Sequence, residues 1–307
     1  MTNESAHKNV QKGILLAILA TIIWSGNFVV ARGMNHSIPP ITMAFYRWLT
    51  ATIIIAPFAY RSFINEKEIF IKNWRYFVII SFFGITVYNT LIYVAGTTLP
   101  AINLALLGTS SSPVMSIILA AFFLKETIKP LRFIGLMICL TGILLLLSKG
   151  SMDRLLNFHF SAGDGWILLA ALCFAIYNVM VRKKPAGLSP VTFLFITFFL
   201  GLIMLFPAYL VEYNVTPPMD WSLSKLLVIG YLGLGNSVLS FLFWNTSITN
   251  LGAGRTALFG NLITIFSSLE AVYVLNEKFT IIHFISSILV IGGLILANIQ
   301  FKKRYNA

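Results

Sequence analysis

The chain has 307 residues, of which 58% are hydrophobic and only 10% charged, against about 25% charged in a soluble domain. That deficit excludes a water-facing exterior and fits an outer surface in contact with lipid. The net charge of +12 comes without a basic face interleaved with aromatics, which argues against a nucleic-acid partner.

A helix needs about 20 apolar residues to cross the hydrocarbon core. Ten runs qualify, near 13–31, 41–60, 76–97, 101–124, 132–148, 165–181, 189–211, 226–248, 256–275 and 280–300. The first follows Lys8 and Lys12 as a secretory signal would. It is long enough to span, however, and it matches a later internal segment, so it reads as a span. Residues 76–124 hold no charge and are too long for one span, and Leu99-Pro100 divides them. In the uncharged stretch 226–254, Asn250-Leu251-Gly252 marks the turn. Such turns belong at the interfaces, because irregular backbone cannot face lipid.

The two halves match at an offset near 150. A shift of 150 sets Arg32 on Arg182, Pro40 on Pro190, Thr42 on Thr192, Phe45 on Phe195 and Pro57 on Pro207. A shift of 151 sets Gly84 on Gly235, Ser116 on Ser267, Glu126 on Glu277, Phe133 on Phe284 and Gly142 on Gly293. Five helices per half is an odd number, so the second half enters the membrane from the opposite side. The expected fold is therefore all-α and integral to the membrane, with ten helices in two inverted five-helix repeats over 1–150 and 151–307. Inverted repeats are typical of secondary transporters. With the N-terminus inside, cytoplasmic segments collect sixteen Lys and Arg and outer segments five, Arg47 lying within a helix. That bias predicts both termini in the cytoplasm.

Cys139 and Cys173 lie in apolar runs and form no disulfide framework. The four histidines show no metal spacing and no HExxH, and no phosphate-binding glycine loop is present. No cofactor is expected, and ATP bound by this chain is not the energy source.

Several motifs, in order, resemble the EamA-type transporters of the drug/metabolite transporter superfamily. The first span reads Trp24-Ser25-Gly26-Asn27-Phe28, followed by Arg32, Pro40 and Phe45-Tyr46-Arg47-Trp48. The fourth runs from Pro113-Val114 to Leu124-Lys125-Glu126, and the ninth from Gly254-Arg255-Thr256-Ala257 through Asn261-Leu262-Ile263 to Leu275-Asn276-Glu277. The resemblance covers nearly the whole chain. It implies a ten-helix carrier in the bacterial inner membrane, with a central cavity between the repeats. Such carriers are mostly exporters of amino acids and related metabolites. Two positions depart from the pattern: Thr264 stands where the second half would carry proline, and Glu270 where an apolar residue is usual.

An acid within a span should face water or the protein interior. Glu270 either titrates with transport, pairs with a cationic group of the substrate, or sits hydrated at the outer rim. Arg47 either attracts a substrate carboxylate, or snorkels to the interface, or pairs structurally. Glu126 and Glu277, just before the next helix, read as architectural acids favoured by a helix dipole. Trp24, Asn27, Tyr88, Asn89, Tyr93, Tyr177, Asn178, Trp244 and Asn245 combine aromatic and amide groups that need partners in hydrocarbon. They are the candidate lining of a site suited to a zwitterion or a flat ring. Ser110 joins them from the small, polar run Gly108–Pro113, which reads equally as substrate-lining or as tight packing. The partners expected are a small-molecule substrate and the bilayer, with proton coupling open and the protein a monomer or homodimer. A receptor or structural membrane protein does not need inverted repeats, and an intramembrane enzyme would need a nucleophile–base pair or a metal site that the spans do not offer.

Overall fold

Within lipid, apolar runs of this length must satisfy every backbone group internally, which helices do. The computed structural model describes residues 3–123, 125, 130–153, 160–217, 219–251, 256 and 259–298, and no strand occurs among them. Glu126, Lys129, Arg154, His159, Gly252, Gly254, Arg255, Ala257 and the Lys302–Arg304 run, on which some motif and charge readings fall, lie outside the described residues. The helices are α1 (Asn3–Gly33), α2 (Pro40–Lys72), α3 (Trp74–Gly96), α4 (Ala101–Phe123), α5 (Pro130–Leu147), α6 (Ala162–Val181), α7 (Pro190–Val215), α8 (Leu223–Leu251), α9 (Leu262–Leu275) and α10 (Ile281–Asn298). The first eight are long and apolar enough to cross a membrane, and α9 and α10 are shorter apolar helices.

The breaks fall where the sequence places them, with Thr97–Pro100 between α3 and α4. The extents differ most in α2, expected to stop near residue 60. No glycine or proline interrupts residues 61–72, so the helix continues to Lys72. Phe63 packs on Phe195 at 5.5 Å and Phe70 on Phe77 at 5.6 Å, while Arg61, Lys67 and Glu68 are exposed. The charges that end the apolar run thus form the outer face of an amphipathic extension. Proline opens both α2 (Pro40) and α7 (Pro190), at the first turn, where a missing N–H costs nothing.

α2 packs on α7, α5 on α10, α4 on α6 and α9, α1 on α8 and α9, and α3 on α6. Large side chains such as Trp48, Phe77, Tyr93 and Phe198 are fully buried between them, whereas Phe58, Phe122 and Tyr273 stand outward, 73%, 78% and 82% exposed. The α5–α10 contact is backbone to backbone. A Cβ on Gly135 would sit 2.5 Å from Ala297 N and 2.6 Å from Gly293 O, and one on Gly142 would sit 3.0 Å from Ser286 O. Small residues are what allow that approach.

Two stretches depart from α geometry, Phe82–Val87 within α3 and Tyr231–Leu239 within α8, and both are π-helical. They occupy matching places in the two halves. At Gly84 the Tyr177 ring fills the space a side chain would take, and at Gly233 Thr50 does the same, 2.5 Å from where a Cβ would stand.

Glu277 is architectural, but not for the helix that follows it. Its carboxylate accepts the backbone N–H groups of Ala101 (2.7 Å) and Ile102 (3.1 Å), capping α4 in the other half.

Candidate substrate site

Arg47, about two turns into α2, does not snorkel to an interface. It is 4% exposed. Its Nη1 donates to Asn27 Oδ1 (2.7 Å) and to the Tyr93 hydroxyl (2.9 Å), its Nε to Ser237 Oγ (3.0 Å) and its Nη2 to Asn236 Oδ1 (2.8 Å). The guanidinium carbon lies 4.8 Å from the Trp48 ring centroid. A guanidinium has five N–H donors. Four are used here, and one on Nη2 has no acceptor among the described residues. Every partner is neutral, so the positive charge is solvated by dipoles rather than matched by a counter-charge.

Each partner has its own tether. The Tyr93 hydroxyl also donates to Asn27 Oδ1 (3.0 Å). Asn236 Nδ2 donates to the Ile23 carbonyl (2.7 Å), which the Tyr231 hydroxyl also reaches (2.5 Å), and Ser237 Oγ donates to the Leu232 carbonyl (2.9 Å). The π-helical stretch of α8 thus brings three consecutive functions to α1 and α2: the Asn236 side chain, its backbone carbonyl, and Ser237. That carbonyl accepts Trp24 Nε1 (3.1 Å), and the Trp24 ring lies 5.1 Å from Trp244 and 5.4 Å from Phe241.

Glu270 reaches α1 from α9. Its Oε1 accepts from Ser25 Oγ at 2.7 Å, and its Oε2 is buried with no partner among the described residues. The acid therefore faces the protein interior. It forms no ion pair with Arg47, although both contact α1, at Ser25 and Asn27, two residues apart.

The expected lining divides into groups. Asn27 and Tyr93 belong to the arginine cluster. Trp24 and Trp244 form an aromatic wall beside it. Tyr88 stacks on Phe174 (4.4 Å, 17°), which stacks on Tyr177 (5.7 Å, 12°), along the α3–α6 contact. Asn89 is buried and Asn178 and Asn245 are half-buried, and none of their side chains bonds another member of the set. Ser110 is fully buried in α4, its hydroxyl without a partner among the described residues and its carbonyl 4.0 Å from Cys139 Sγ of α5. Nothing ties it to the charged cluster.

Ser25, Tyr231, Asn236 and Ser237 were not singled out from the sequence. The signal for two of them was present: Asn236-Ser237 is a pair of polar residues near the middle of an uncharged apolar run, just after Gly233 and Gly235.

A helical bundle apolar on its outside, with an arginine and a glutamate held within it, fits a multi-pass membrane protein, where charges inside the bundle mark a candidate functional site. The chain belongs to the EamA-like transporter family, whose model matches residues 11–148 and again 161–299. It is similar to an uncharacterized transporter, YyaM, of Bacillus subtilis, at 26% identity over 93% of both chains. It is also similar to an S-adenosylmethionine uptake transporter of Rickettsia prowazekii, at 25% identity over 89% of this chain and 88% of that one. A solved crystal structure at 18% identity shares the fold, with a TM-score of 0.63 over 93% of this chain and 96% of the other.

Proposed function

We propose that this protein is a secondary transporter that exports amino acids or related zwitterionic metabolites by alternating access. The observation that carries the reading is a pair of groups of opposite sign inside the bundle that have no partner among the described residues, one N–H of Arg47 and Oε2 of Glu270. A substrate carrying both a carboxylate and an ammonium group answers each. Trp24 and Trp244 flank the pair and suit an apolar or planar remainder.

The inverted-repeat reading, with halves 1–150 and 151–307, supports the mechanism. Exchanging the halves turns the α1–α9 contact into α6–α4 and the α1–α8 contact into α6–α3, and leaves α2–α7 and α5–α10 as they are. A substrate at such a repeat interface is reached from either face as one half rocks against the other. On this reading both termini are cytoplasmic. The rickettsial relative is named for uptake of a metabolite that carries an amino-acid group, which agrees with the substrate class and favours the opposite direction.

The test is flux in proteoliposomes of the purified chain against a panel of amino acids, amines lacking a carboxylate and carboxylates lacking an amine. Zwitterions should be carried in preference to both. Equal transport of all three classes, or of none, would end the reading. Loading the panel inside or outside decides the direction.

A further inference from the structure

α2 and α7 pack against each other in opposite directions, and each ends in a carboxylate that reaches the other's first turn. Glu66, near the end of α2, accepts the Ser189 backbone N–H (2.9 Å) and hydroxyl (3.2 Å) through Oε2, and Ser189 is the residue that caps α7. Glu212, near the end of α7, accepts the backbone N–H groups of Ile41 (3.1 Å) and Thr42 (2.5 Å) and the Thr42 hydroxyl (2.8 Å) at the start of α2. Helix N-termini offer unpaired N–H groups and the positive end of the dipole, so an anion is held there by charge and hydrogen bonds together. Thr42 and Glu66 are separated along α2 by about 36 Å at the α-helical rise, more than the ~30 Å hydrocarbon core. The two caps therefore sit at opposite faces of the membrane.

We propose that Glu66 and Glu212 are opposed latches, each holding one face of the α2–α7 seam shut, and that the transport cycle breaks them one at a time. The inference rests on the alternating-access reading above. Rocking the halves opens the seam at one face while closing it at the other, so one cap must survive whenever the other is broken. The α5–α10 pair, in backbone contact at Gly135 and Gly293, has no comparable latch among the described residues and serves as the pivot on the far side. In the present conformation both caps are formed and the seam is closed at both ends. Glutamine at either position keeps the shape and removes the charge, which weakens that cap alone. The ratio of open to closed at that face should rise about fivefold, the usual worth of a lost cap.

The test uses the full chain in lipid nanodiscs, with nitroxide pairs on cysteines introduced at exposed positions. Ser37 with Asn214 reports the Glu212 face, and Lys67 with Ala186 reports the Glu66 face. Native Cys139 and Cys173 are buried. Distances are read by double electron–electron resonance. Glu212→Gln should add a longer distance for the first pair only, and Glu66→Gln for the second pair only. If either variant lengthens both pairs, or neither distance moves, the latches do not exist. Should Glu212→Gln fail to fold, Thr42→Val removes one bond of the same cap and should shift the first pair in the same direction by less. Correct distance shifts in a protein that carries no zwitterion would uphold the latches and sink the substrate reading.

Discussion

Replacing Arg47 with glutamine separates a functional charge from a structural one, because the two roles predict different ledgers. The wild-type guanidinium makes four hydrogen bonds, all to neutral groups. On its removal Asn27 Oδ1 keeps the Tyr93 hydroxyl, and Ser237 keeps the Leu232 carbonyl. Only Asn236 Oδ1 is left without a donor. One buried orphan costs about 1–3 kcal/mol, and the glutamine amide can return part of it. Against this stands the penalty for burying an ion, still several kcal/mol in real proteins, which disappears with the charge. The terms offset, so the variant should unfold within about 4 °C of wild type. Transport should behave otherwise. A hydrogen bond from a charged donor is worth about 1.5–3 kcal/mol, so kcat/KM for a carboxylate-bearing substrate should fall about 10- to 150-fold. The assay pairs thermal unfolding in detergent with flux per folded molecule in proteoliposomes. A large drop in unfolding temperature with unchanged flux would refute the reasoning and make Arg47 a strut.

Glu270→Gln keeps an acceptor for Ser25 and removes the charge; the expected result is a changed pH profile of flux between about pH 5.5 and 8.5 and a lost preference for amines, and identical profiles with identical substrate rankings would return Glu270 to a structural role. Trp24→Ala and Trp244→Ala should each reduce transport several-fold without abolishing expression, since the pair forms one wall of the site, whereas normal flux in both would place the site elsewhere. Gly135→Ala forces α5 away from the α10 backbone and should cost about 1–3 kcal/mol, as overpacking does; the measure is unfolding temperature and yield, and a wild-type value would show that the helices can part there at no cost.

Periodicity and hydropathy reveal what a helix does with lipid, and here they located α1 to α10 to within a few residues at most ends. They fade where charges gather, from Arg61 on, which is why the extension of α2 through Lys72 was missed: Phe63 and Phe70 are half-buried, against Phe195 of α7 and Phe77 of α3, and neither helix is visible in the local pattern. The same limit applies at the site. Arg47 and Glu270 stand out because a charge in hydrocarbon needs a reason. Their partners do not, since Asn236 and Ser237 meet Arg47 across 189 and 190 residues. Glu277 was legible as a capping acid from its place at a helix end, yet the capped helix is α4, begun 176 residues earlier. A cap between distant helices leaves no local spacing to read.

The π-helical stretches of α3 and α8 confine their effect to their own turns. Each carries more residues per turn than the helix on either side, so it resembles a dislocation in a crystal row, an extra unit absorbed without breaking the lattice. Deleting one residue from such a stretch would return it to regular α geometry and leave the two arms almost in phase, because the wide turn has already absorbed the extra unit. What would go is the bulge itself. In α8 that is the stretch presenting the Asn236 side chain, its carbonyl and Ser237 to α1 and α2, so Arg47 and Trp24 would lose partners while Phe241 and Trp244 kept their places. In α3 it is the stretch that meets Tyr177 at Gly84 and the Gly201 carbonyl through Thr86. A single-codon deletion there would erase a contact surface and spare the helix.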